Sequence, residues 1–413
     1  MLDFSAVLER VFCGRECWFG GFMALLQRIG LVVLAVGVSA GVGVGQAMQH
    51  PGVLVSGAQL EFVKAQVKAK AEPFYGEYQK AIASEYGALD YKLQGPPATG
   101  VIECGSYSKP DNGCHAEDTD ASAAYVQSLL WYISGDQRYA DNAIRIVNAY
   151  GHHLLAYSNS NAPLQAAWSG EVWPRSAEIL KYSHAGWKVE DQEAFTRMLK
   201  TVILPYLREG SGANGNWELS MIDAMMGIAV FTDDRDLLKR AEEMWMERVP
   251  TYFYNSALDG AHPRPMPRKD KKVSWYGTTD LNASVDGISS ETCRDLGHTS
   301  FSIAATMDAA ETAHIQGDKL FEAEQKRLVA ALEFHARLLL KKEPVPTLVC
   351  GGSVHYANGD TFVIGYNEYH NRLGVPMPES KEWIEQHVET DAVPVDAHMI
   401  VFEPLTHGAD VGK

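Results

Sequence analysis

Apolar residues recur at helical spacing in one segment of this chain after another, with little of the alternation that marks strands. The spacing predicts helices over Gly57–Ser84, with Pro73 interrupting, and over Asp118–Ile133, Asp136–His153, Trp173–Ser183 and Val189–Leu207. Further helices are predicted over Trp217–Phe231, Asp234–Trp245, Thr299–Gln316 and Lys319–Lys341. Asp118, Thr119 and Asp120 supply capping side chains at the start of one of them. Within Trp217–Phe231, Leu219, Ile222, Met225, Met226 and Ala229 fall on a single stripe. Short polar turns, such as Gly135-Asp136 and Gly317-Asp318, join neighbouring helices into antiparallel hairpins. No exact short repeat marks a solenoid. The architecture expected is all-α: an α/α toroid, an incomplete barrel of helical hairpins. Such a ring leaves one face where loops meet, and that face makes a cleft suited to a chain-like ligand.

The stretch from Asn255 to Gly297 breaks this pattern and is rich in Pro, Gly, Asp and Ser. A long irregular segment inside a compact domain is usually functional. The tail from Pro344 to Lys413 is mixed, and no linker interrupts the chain, so 48–413 is expected to form a single domain.

The N-terminus reads differently. Ile29–Gly45 is apolar and uncharged, follows Arg28, and gives way to Gln46-Ala47. That reads as a secretory signal over 1–47 with cleavage near Ala47, and Met23 would give it a conventional start. An uncleaved membrane anchor is the rival, disfavoured by the glycines and the short run. The chain is therefore expected to be secreted or periplasmic, without stable membrane insertion. Cys104, Cys114, Cys293 and Cys350 remain after cleavage. A bridge from Cys104 to Cys114 is expected around the turn-rich loop between them. Whether Cys293 and Cys350 pair is left open.

The 413 residues carry a formal charge of −16. That excludes a global basic face for nucleic acid. An acidic protein can still take an anionic polymer if its cations gather in the cleft. Arg175, Arg264, Arg268, Lys269, Lys271, Lys272 and Arg294 are the candidates. His115, Glu117, Asp118 and Asp120 match neither a calcium loop nor a zinc set. No metal and no cofactor are expected, and the chain is expected to act as a monomer.

Asn216, Arg268, Tyr276, Arg294 and His298, with His262, gather amide, guanidinium, phenol and imidazole groups within one region. Eliminative cleavage of a uronide needs this set. The C5 proton is weakly acidic, so charge building on the adjacent carboxylate must be neutralised. Asn and Arg do that, and Arg grips a carboxylate with two parallel bonds. A base then takes the proton and an acid protonates the leaving oxygen, tasks for Tyr and His. Trp168, Trp173 and Arg175 are candidate sugar contacts, as are Asn214, Tyr366 and Arg372. Each has a plainer reading: Asn caps helices, and Trp packs cores.

The run from Asn216 through Trp217, Glu218, Leu219 and Ser220 to Asp233-Asp234 resembles the alginate lyase domain family of α/α-toroid polysaccharide lyases. Asp259-Gly260, Pro263, Arg268 and Tyr276 resemble its Asp-Gly-x-x-Pro…Arg…Tyr signature. The likeness spans roughly residues 120–375. It implies that Asn216 neutralises the carboxylate, Arg268 is a charge partner and Tyr276 is the catalytic tyrosine. One departure matters. Typical members carry His directly after that Asn, where this chain has Trp217. His298 and His262 are the nearest substitutes, and the Glu291…Arg294…His298 run resembles a branch with its basic residues there.

The activity expected is β-elimination on a 1,4-linked polyuronate, with mannuronate-rich alginate first and glucuronan second. Two alternatives stand beside it. An α/α-toroid glycoside hydrolase would need two cleft carboxylates, for which Glu171, Glu291 and Asp295 are available. A non-catalytic glycan-binding protein would need neither.

Overall fold

The computed structural model describes residues 47–211, 215–265, 275–276, 285–357, 361–389, 395–396 and 400–409. The chain from Ala47 to Lys413 makes one compact unit. It opens with α1 (Gly57–Ala69) and α2 (Phe74–Ala83), and Ser56 caps α1 by accepting the Gln59 N–H. A short sheet follows, in which β1 (Val101–Cys104) pairs antiparallel with β2 (Asp111–Asn112) and parallel with β3 (Ala156–Ser158). Between β2 and β3 run α3 (Cys114–Ser134) and α4 (Gln137–His153). Next come α5 (Ala162–Tyr182) and α6 (Val189–Met198), which passes through a π turn into α7 (Leu204–Leu207). Then follow α8 (Gly215–Phe231), α9 (Arg235–Tyr252), the single turn α10 (Ser256–Asp259), α11 (Leu296–Ile315), α12 (Leu320–Ala323) and α13 (Gln325–Leu340). The chain ends with α14 (Val363–Tyr366), α15 (Pro378–Trp383), the pair β4 (Val395–Asp396) and β5 (Ile400–Val401), and α16 (Glu403–His407).

These helices form two layers. Helices α3, α5, α8 and α11 are buried on nearly every side. Helices α4, α6, α9 and α13 bury one stripe each and turn their charged positions outward. Packing runs from α3 to α5, α8 and α11, then through α14, α16 and α1 back to α3, closing the ring. The α/α toroid expected from the hairpin pattern is therefore the fold observed.

Three local features differ from the expected pattern. Helix α5 begins at Ala162 rather than Trp173 and continues through Pro174. Its periodicity is hidden because it is buried all round, so no polar stripe marks its register. Helix α3 begins at Cys114, ahead of the Asp118 expected from capping signals. The short strands were not foreseen, since runs of two to four residues are too brief to show alternation.

The middle of the ring is polar. Arg175 on α5 pairs with Asp223 on α8 at 3.0 Å and with Asp308 on α11 at 2.7 Å, all buried. Glu171 and Glu403 are buried in the same region. Burial raises the carboxyl pKa of Asp223 to about 8 and of Glu403 to about 8, with neighbouring acids adding to the shift. Burial likewise holds Glu171 well above the usual carboxylate range.

Both cysteine pairs form disulfides: Cys104 with Cys114, as expected, and Cys293 with Cys350. Among the described residues, no helix is long and apolar enough to cross a membrane.

Candidate active site

The N-terminal ends of α5, α8 and α11 meet at a cleft of about 580 Å³. Asn216 and Trp217 come from α8, and Leu164 and Trp168 from α5. His298 and Phe301 come from α11, with Arg294 just before it. Ser106, Tyr107 and Asn161 complete the wall. The Asn161 N–H donates to the Cys104 carbonyl at 2.8 Å. This bond and the Cys104–Cys114 bridge hold the Tyr107 loop beside the start of α5.

One buried carboxylate organises the polar side. Glu291 accepts the Asn216 backbone N–H at 3.1 Å and the Tyr252 hydroxyl at 2.9 Å on one oxygen. Its other oxygen accepts the Arg294 guanidinium at 2.9 Å. Burial and the Glu291 charge push the Tyr252 phenol well above its ordinary pKa, so it remains a donor. Gly215 makes this approach feasible, because a Cβ there would lie 1.9 Å from the Tyr252 ring. Asn216 is 1% exposed, and among the described residues its Oδ1 has no hydrogen-bond partner. An acceptor buried unsatisfied at the wall of a cleft is costly unless a ligand donor, such as a sugar hydroxyl, reaches it.

Asp295 caps α11 by accepting the His298 N–H at 2.8 Å. The same carboxylate accepts the His298 ring Nδ1–H at 2.6 Å. In the neutral ring, Nδ1 as donor leaves the lone pair on Nε2. Burial alone would raise the Asp295 pKa, but the His298 hydrogen bonds outweigh it and lower the value, keeping the carboxylate charged.

Apolar rings form the other wall. Tyr107 meets Trp168 edge to face at 5.5 Å, Trp168 meets Phe301 at 6.1 Å, and Phe301 meets His298 at 6.2 Å. Trp217 packs against both the small cluster of Leu164, Trp168 and Ala304 and the main core.

The expected site residues divide. Asn216, Arg294, His298 and Trp168 come together in the cleft. Tyr276 lies beside them, its ring 5.4 Å beneath the Arg294 guanidinium. Arg268 and Asn214 lie outside the described residues, as do Lys269, Lys271 and Lys272. His262 is exposed and does not line the cleft. Trp173 is buried in the core and donates to Glu117, and Arg175 sits in the ion pairs of the ring centre, so neither faces the cleft. Tyr366 stacks on His370, and Arg372 pairs with Glu311 and Glu368; both are away from the cleft lining. Arg264 pairs with Asp259 at 2.8 Å. Of the carboxylates that a hydrolase would use, Glu171 is 1% exposed inside the ring and Glu291 is fully engaged.

Sequence reasoning missed Tyr107, Asn161 and Phe301 as site residues, and named Asp295 only as a carboxylate for a hydrolase. The turn-rich loop between two cysteines was a signal for Tyr107, because a stapled loop can hold an aromatic ring in place.

Residues 76–345 match the family model described as alginate lyase. The fold is similar to the crystal structure of alginate lyase A1-III from Sphingomonas species A1. The TM-score is 0.57 at 13% identity, covering 81% of this chain and 91% of that one. It is also similar to a Tyr-to-Phe variant of alginate lyase A1-III complexed with a tetrasaccharide. That match has a TM-score of 0.55 at 14% identity, covering 80% of this chain and 90% of that one. No curated protein matches the chain.

Proposed function

The chain belongs to the alginate lyase family and is a polysaccharide lyase, and on that premise we propose that it cleaves a 1,4-linked polyuronate by β-elimination in the cleft between α5, α8 and α11. Mannuronate-rich alginate is the first substrate and glucuronan the second. The observation that carries this reading is the convergence of Asn216, Arg294 and His298 on one cleft from three separate chain segments.

In this reading the sugar carboxylate sits between the Asn216 amide and Arg294. The amide supplies a donor, and the guanidinium supplies charge in a site walled by aromatic rings. Nε2 of His298 takes the C5 proton. The C5–H electron pair becomes the C4–C5 double bond as the C4–O bond breaks. Tyr276, whose ring lies 5.4 Å beneath the Arg294 guanidinium, gives its proton to the leaving oxygen. Trp168 and Tyr107 offer ring surfaces to neighbouring sugars. Trp217, where typical relatives carry a histidine, closes the apolar wall.

We also propose that the protein is exported. Support comes from the apolar segment ending near Ala47 and from the two disulfides. Gln49 donates its N–H to Gln316 at 2.9 Å, and His50 bridges Glu178 and Asp233. The mass of the exported chain checks this, with an N-terminus near Met48 expected and a retained 1–47 segment contradicting it.

The activity itself is tested by incubating the protein with polymannuronate, polyguluronate and glucuronan. Unsaturated uronate ends from one of them support the proposal. No cleavage of any, with substrate binding intact, would overturn it in favour of a binding role.

A further inference from the structure

We propose that the Cys293–Cys350 disulfide is a positioning clasp for the active site, and that its reduction lowers turnover without unfolding the toroid. The inference rests on reading the cleft as the lyase site. Cys293 stands between Glu291, which holds Asn216 and Arg294, and Asp295, which holds His298. The described stretch 285–295 contains no helix or strand of its own. Its geometry must come from what grips it on either side.

On the inner side the grip is polar. Besides the Glu291 bonds, Thr292 exchanges a hydrogen bond with buried His335 at 2.9 Å, and Ser289 donates its N–H to Thr292 at 2.8 Å. On the outer side lies an irregular strap over 343–357, largely exposed, with Val349 and Val354 as its buried anchors. Leu348, beside the bridge, is 64% exposed. Strap and loop are joined by the disulfide, and by the Leu296 N–H donated to the His355 carbonyl at 2.9 Å. The second is a single hydrogen bond at the first residue of α11, so the covalent link is the one that resists displacement of the strap.

The two disulfides differ in access. Cys104 and Cys114 are each 1% exposed, whereas Cys293 and Cys350 are both half-buried. A small dithiol therefore reaches the site clasp in the folded protein and leaves the other bridge closed. Its thiolate attacks one sulfur of the clasp, the S–S bond breaks, and the departing cysteine takes up a proton. The second thiol of the reagent then displaces the other cysteine. Two protein thiols and one oxidised cyclic reagent result. The loop then keeps its inner bonds and the Leu296–His355 hydrogen bond but loses its covalent outer support. Displacements of about 1 Å at catalytic groups cost roughly 10²-fold in rate.

The test uses the intact protein with dithiothreitol, followed by alkylation and mass mapping, amide hydrogen exchange and kinetics on the polyuronate it cleaves. Opening of the Cys293–Cys350 bridge alone should speed exchange over 289–298 and leave α5 and α8 unchanged. The kcat should fall roughly 10²-fold, with KM moving less than about threefold, and reoxidation should restore both. Cys350→Ser should show the same kinetics and no further response to dithiol. An opened bridge with unchanged exchange and kcat would overturn the proposal. Exchange rising equally through α5 and α8 would also overturn it, because the bridge would then be a general staple. If the oxidised protein releases no unsaturated ends from any polyuronate, the lyase reading fails separately, and local exchange alone decides the clasp.

Discussion

His298 donates its ring Nδ1–H to Asp295 at 2.6 Å, and its backbone N–H to the same carboxylate at 2.8 Å. One acidic side chain thus starts α11 and sets the tautomer of the histidine. The two tasks can be separated. Asn is as good a helix cap as Asp, so Asp295→Asn should leave thermal stability nearly unchanged. It cannot hold an imidazolium as a carboxylate does, so kcat should fall roughly 10²-fold or more. His298→Ala should lose at least as much. Near-native kcat in both variants would remove this pair from the mechanism.

Asn216 makes an opposite demand on stability and function. Among the described residues its buried Oδ1 has no hydrogen-bond partner. Taking an unsatisfied polar group out of a buried site costs little, and can stabilise. Asn216→Ala should therefore keep or raise the melting temperature while lowering kcat about 10²-fold through loss of a carboxylate donor. Stability and activity falling together would mean that the residue serves the fold.

How far such residues could be read from sequence depended on how they are buried. Helix α8 was legible because its apolar stripe and the polar turn after it are local signals. Helix α5 was legible only in its second half, since a helix enclosed by the ring needs no polar face. That also explains Trp173 and Arg175. Aromatic and cationic residues in one run suggested sugar contacts, but a helix one turn deeper than Trp168 carries them into the ring interior, where Asp223 and Asp308 accept the Arg175 guanidinium. Asn216, Arg294 and His298 were nominated from chemistry and resemblance. Their shared cleft depends on three helix ends meeting, which no local pattern encodes.

The ring interior sets a pH dependence of stability. Burial raises Asp223 to about 8 and Glu403 to about 8, and Asp308 to about 6. Unfolded, these groups titrate near about 4. Between those values the folded protein holds protons that the unfolded chain has released, so stability falls as pH rises. The contribution is fully present below about pH 4 and is lost as pH rises through about 8. Melting temperature measured from pH 5 to 9 should decline. Asp223→Asn, which cannot ionise, should flatten that decline. A flat profile in the parent protein would contradict the raised carboxyls.

The central claim is elimination carried by His298, and the most direct measurement is ultraviolet absorbance of the unsaturated uronate end, followed together with reducing ends on polymannuronate. The parent protein should generate both signals in equal amounts. His298→Ala should lower both by roughly 10²-fold while still binding the polymer. Reducing ends without the absorbance would show hydrolysis, and undiminished absorbance from His298→Ala would show elimination without this histidine; either result contradicts the account.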